Sequence, residues 1–123
     1  MTGSTVLCDM EAGFGTVLRL QPGQIDVVLV VAEPTAKAMD VAARAARVAE
    51  RRAARVIVVA NKVRGDEDVE LIRTAVGAYD LVSVPADAAV EQADRDAVAP
   101  IDLAPDSPAV RALVELARHL ESA

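Results

Sequence analysis

The sequence contains no tryptophan, a single tyrosine at Tyr79 and a single phenylalanine at Phe14. Two aromatic rings cannot build the platform on which single-stranded bases stack, so that mode of nucleic-acid binding is excluded. Basic residues are in the minority too, with 13 Lys and Arg against 19 Asp and Glu and a formal net charge of −6. A phosphate-backbone footprint needs the opposite balance, and the local cluster Arg44, Arg47, Arg51, Arg52 and Arg55 does not reverse it. No nucleic acid is expected as a partner. One cysteine, Cys8, permits no internal disulfide and no cysteine-paired metal site within a chain, which fits a reducing cytosol. The only histidine, His119, has no second histidine or nearby cysteine in the sequence with which to share a metal. No apolar run approaches the roughly 20 residues of a membrane span. The N-terminus also lacks a basic, then apolar, then small-residue signal pattern, so the expected location is the cytoplasm.

What is present is aliphatic. Hydrophobic residues make up 53% of the chain and are almost all Ala, Val and Leu, so the core of the one expected domain, residues 1–123, is built from small side chains. Four short β-branched runs stand out: Thr5–Asp9, Ile25–Ala32, Arg55–Asn61 and Leu81–Val84. The middle two do not alternate, as expected of strands covered on both faces of a parallel sheet. Between them, Ala38, Val41, Ala42, Ala45, Val48 and Ala49 recur at helical spacing and predict a crossover helix over 36–54, with Thr35 as its N-cap. A second helix is predicted from Asp66 to a stop at Gly77, with Val69, Ile72 and Val76 on one face. Ser107 followed by Pro108 predicts the start of a last helix whose buried stripe is Val110, Leu113, Val114, Ala117 and Leu120. Cys8 is expected as a small buried strand residue. The fold class is α/β, three layers with a parallel sheet of about four strands flanked by helices.

Ligands of open parallel sheets bind at the carboxyl ends of the strands. After the first run comes DMEAGFG, in which Asp9 could hold a hydrated Mg²⁺ and Gly13 and Gly15 let the backbone approach a phosphate. The same residues could equally end an edge strand and make a turn. After the third run comes Asn61, and an asparagine at a strand end is often a local turn-former. Lys62 and Asp87 could be solvated surface groups.

The segments DMEAG, VVLVVAEPT, VIVVANKV and VPADAAVEQADRDAVAPIDLAPDSPAVRALVELARHL, in that order, resemble the MinD/ParA class of P-loop ATPases, most closely the branch that contains CooC. The resemblance covers the chain from Thr5 onward and implies a partial Rossmann-like P-loop NTPase fold. It implies that Asp9 lies near Mg²⁺ and its waters and that Gly13 offers its N–H toward a γ-phosphate. It further implies that Asn61 faces the adenine of ATP or ADP and that Pro85, Ala86 and Asp87 form the loop beside the base or ribose. Glu33, Pro34 and Thr35 fall in the family's segment near a dimer face.

No G-x-x-x-x-G-K-[ST] pattern or relative of it occurs in these residues, although phosphate binding in this class depends on such a loop and its lysine. The expectation is therefore a truncated domain without catalytic residues, not an ATPase as an isolated chain. It would contribute a half-site to a homo-oligomer or to a P-loop-bearing partner chain. The CooC branch uses a cysteine pair for nickel, and one cysteine does not supply it. Two further readings remain at this stage. One is a non-catalytic module that binds itself or a partner through an exposed sheet edge. The other is a flavodoxin-like or receiver-like domain, which lacks its acidic pair here.

Overall fold

The computed structural model describes residues 5–9, 21, 23, 25–52 and 55–122. Three parallel strands, β1 (Val27–Ala32), β2 (Arg55–Val63) and β3 (Asp80–Pro85), form a sheet in the order β1-β2-β3. Helix α1 (Ala36–Arg51) joins β1 to β2 and α2 (Asp66–Val76) joins β2 to β3. With strands laid down in one direction, right-handed crossovers place both helices on one face. Their shared core confirms it: Val28, Val30, Ala32, Val56, Val58 and Ala60 pack with Ala42, Ala46, Ala49, Ile72 and Val76. After β3 come α3 (Ala88–Arg95), α4 (Pro100–Leu103) and α5 (Pro108–Ser122). Helix α5 covers the opposite face, where Ala109 and Leu116 meet Val59 and Val84. This is the expected three-layer α/β architecture.

The caps explain where the helices begin. Thr35 Oγ1 accepts the Ala38 N–H at 3.3 Å at the start of α1. At α2, Asp66, Glu67 and Asp68 fill the first turn, and Asp68 reaches back to accept the Arg64 N–H at 2.8 Å. Gly77, at φ 113°, ends that helix. Ser107 Oγ accepts the Val110 N–H at 3.4 Å.

Several expectations are corrected. Thr5–Asp9 forms no strand; Val6 and Leu7 are 81% and 84% exposed, and Cys8 is exposed rather than buried. The sheet thus has three strands among the described residues instead of about four. Helix α1 ends at Arg51, and its buried set includes Ala43 and Ala46, whereas Val41 is exposed. Helix α5 is rotated from the expected stripe: Ala109, Val110 and Leu116 are buried and Leu113 is exposed. Helices α3 and α4 lie where a loop was expected.

Helix α3 ends in a Schellman-type turn, with the Val98 N–H donating to the Ala93 carbonyl at 2.9 Å and Ala97 at φ 54°. Alanine carries a Cβ penalty in that conformation. Ala97→Gly is expected to raise stability by about 0.5–1 kcal/mol, read as a higher denaturant midpoint at constant slope.

Candidate functional site

Three strand ends meet on the carboxyl edge of the sheet. Strand β1 delivers Glu33, β2 delivers Asn61 and Lys62, and β3 delivers Pro85 and the loop to Asp87. Asn61 pairs in register with Val84 and Val63 with Pro85, so Lys62 is an inserted residue, a β-bulge. The bulge has a packing consequence. Side chains alternate with period two, so without it Val63 would face α5; the extra residue returns Val63 to the α1–α2 core. Beyond the bulge the ladder continues, the Ala86 N–H donating to the Val63 carbonyl at 2.9 Å. Asn61 and Pro85 are half-buried there, and Ala86 is exposed.

Lys62 has φ 57°, and its Nζ lies 3.6 Å from Glu33 Oε1, so the ends of β1 and β2 are bridged by an ion pair. No sequence pattern joins these two residues. The usable signal was the lysine directly after a strand-ending asparagine.

Asp87 is more constrained than its sequence position suggested. Its Oδ1 accepts the Ala89 N–H at 2.9 Å, which caps α3, and its Oδ2 accepts the Ala109 N–H at 3.0 Å in the first turn of α5. One carboxylate therefore ties together the starts of two helices that are separated in sequence by α4. The Ala109 N–H is the largest influence that holds the Asp87 carboxyl below its ordinary value; Ala89, Ser107 and Val90 add to it, against partial desolvation. The favourable interaction of an anion with helix N-termini has the same sign.

Asn61, Pro85 and Asp87 are thus gathered at one edge of the sheet. Asp9 is exposed and belongs to no strand, so the strand end that was to present it is not formed among the described residues. Gly13 lies outside the described residues. Among those described, no group of three or more His, Cys, Asp or Glu could hold a metal ion. A shallow depression of about 450 Å³ lies elsewhere, at the amino end of β3, lined by Arg73, Gly77, Ala78, Tyr79 and Asp80. None of the expected site residues reaches it.

The order of strands and the chemistry of their ends can be set beside known proteins. Over 102 residues the chain is 32% identical to the carbon monoxide dehydrogenase accessory protein CooC of Rhodospirillum rubrum, covering 81% of this chain and 39% of that protein. The chain corresponds to part of a MinD/ParA-like domain of the CooC type. The structure of the MinD cell division protein of Aquifex aeolicus superposes on this domain with a TM-score of 0.64 at 23% identity. That superposition covers 80% of the chain and 44% of MinD, and it shows the shared fold. No family model matches the chain. The CooC-type domain described here therefore spans about two fifths of the length of the relatives it matches. None of its described helices is long and apolar enough to cross a membrane.

Proposed function

We infer that this domain forms the base-side half of an adenine-nucleotide site, as part of an ATPase-like module. The observation that carries the reading is Asn61, half-buried near the carboxyl end of the central strand, just before the bulge and paired with Val84 next to the Pro85–Asp87 loop. An amide both donates and accepts, which is the pattern of the adenine N6/N7 edge. The likeness to CooC over 102 residues supports assigning that edge to a nucleotide. Pro85 and Ala86 would pack beside the base. Asp87 would fix that loop from within, and Asp9 and Gly13 would serve Mg²⁺ and the γ-phosphate. When bound, Mg²⁺ would neutralise phosphate charge. The glycine-rich loop and its lysine would come from polypeptide outside these 123 residues, so the chain alone is expected to bind nucleotide without hydrolysing it.

Calorimetric titration with Mg-ATP and Mg-ADP, with mass measured by light scattering, tests the reading. Micromolar binding is the expected result. Asn61→Ala should weaken it by about tenfold, the loss of one buried polar contact pair, while binding of inorganic phosphate stays unchanged. Equal binding by variant and parent would remove Asn61 from the site.

A second reading, a self-associating module without nucleotide, is favoured by one feature. Among the described residues the outer edge of β1 has no strand partner, and Val31 on that strand is 60% exposed. Such an edge is a template for another chain. A defined oligomer that binds neither nucleotide would establish it.

A further inference from the structure

Of the described residues, only Lys62 and Ala97 combine a side chain beyond hydrogen with a positive φ, and Lys62 stands on the candidate site. The left-handed conformation is costly for a residue with a Cβ and is met chiefly at glycine, asparagine or aspartate. Neither structural task at this position calls for lysine. The bulge needs an extra residue to keep Val63 in the core, and glycine would provide it at lower cost. The ion pair with Glu33 is long, at 3.6 Å, and its side chains are 62% and 47% exposed. A solvated pair of that kind adds little stability. What lysine contributes here is an ammonium group held, at the expense of backbone strain, over the carboxyl edge of β1 and β2. Strain of this sort collects where ligands are held.

We propose that Lys62 reads a phosphate group of the ligand, with Glu33 as the resident counter-ion that the phosphate displaces. The inference rests on the nucleotide reading above and adds to it the group that recognises charge between β1 and β2. The exchange is one of partners only; no covalent bond changes. Glu33 and the phosphate compete for one ammonium, so the carboxylate lowers the affinity that Lys62 would otherwise give. Lysine is suited to this as a compact, strongly hydrated charge on a flexible stem.

The test pairs thermal unfolding with calorimetry of the whole chain, using Mg-ADP, inorganic pyrophosphate and adenosine as probes. Lys62→Gly should raise the melting temperature by about 3 °C through relief of strain. The same variant should bind Mg-ADP and pyrophosphate about tenfold more weakly and leave adenosine binding unchanged. Lys62→Arg, which keeps the charge, should retain most of the Mg-ADP affinity. Glu33→Gln should tighten Mg-ADP binding. The proposal is overturned if Lys62→Gly binds Mg-ADP as the parent does, or loses adenosine to the same degree. A parent that binds none of the three probes overturns the nucleotide reading itself, and this inference with it. The two failures are therefore distinct.

Discussion

Ile72→Ala is expected to cost about 3–4 kcal/mol of unfolding free energy, from lost transfer energy plus the cavity left behind. Ile72 is 0% exposed on α2, and it packs in the core shared by β1, β2 and α1. Its neighbours there are mostly alanine and valine, short side chains that cannot reach into the space an isoleucine vacates. A domain of this size has a total stability of about 5–15 kcal/mol, so this one change removes a large share. Urea denaturation should show a lower midpoint with the slope unchanged. Leu71 next to it is half exposed and serves as the control, with a loss of about 1 kcal/mol or less on truncation.

Asp87→Ala should also destabilise strongly, because it deprives two helices of an acceptor in one step. Thr35→Ala, which removes the side-chain N-cap of α1, is expected to cost about 1 kcal/mol; Asp87 serves two helix starts where Thr35 serves one. The pH dependence identifies the cause. Hydrogen bonds from Ala109, and secondarily from Ala89, Ser107 and Val90, lower the Asp87 carboxyl from its ordinary 3.8. The folded state thus binds this proton less readily than the unfolded state. The stability so gained is fully present above pH 3.8 and is lost as the pH falls through the lowered value in the fold. Melting curves of the parent should steepen their decline in that acid range, and the difference between parent and Asp87→Ala should narrow there. A gap that stays constant on acidification would mean that the carboxylate charge is not what holds α3 and α5 together.

The parts of the fold legible in the sequence were those with a period and a cap. Strand β1 is an unbroken aliphatic run, β2 is built round one from Val56 to Ala60, and β3 is a shorter apolar segment ended by Pro85; Thr35, Asp66, Gly77 and Ser107 marked helix ends that the structure reproduces. The phases of α1 and α5 were less legible. Alanine occurs all round both helices and weighs the same on a buried or an exposed face, so the stripe through Leu113 and the one through Leu116 read alike. Helix α3 is short and half polar, α4 is a single four-residue turn, and what starts α3 is a capping bond accepted by Asp87, a residue the sequence had marked for a ligand. Thr5–Asp9 has strand composition, but a strand exists only with a neighbour, and no described residue supplies one. At the site, Asn61 and the Pro85–Asp87 loop could be placed from the rule that ligands gather at strand ends. The Glu33–Lys62 bridge could not, because it depends on a one-residue bulge that no local pattern announces.

The Tyr79 hydroxyl donates to Glu50 Oε2 at 2.7 Å, fastening the start of β3 to the end of α1 at the amino edge of the sheet. Burial first, and then the bond to Glu50, push that phenol above its ordinary value of 10. With no tryptophan and no second tyrosine in the chain, the tyrosine band of the near-ultraviolet spectrum reports on this seam alone. The protein is therefore optically one-sided. Its tyrosine signal follows the parting of α1 from β3, whereas Asn61 and Lys62, on the opposite edge, carry no chromophore of their own.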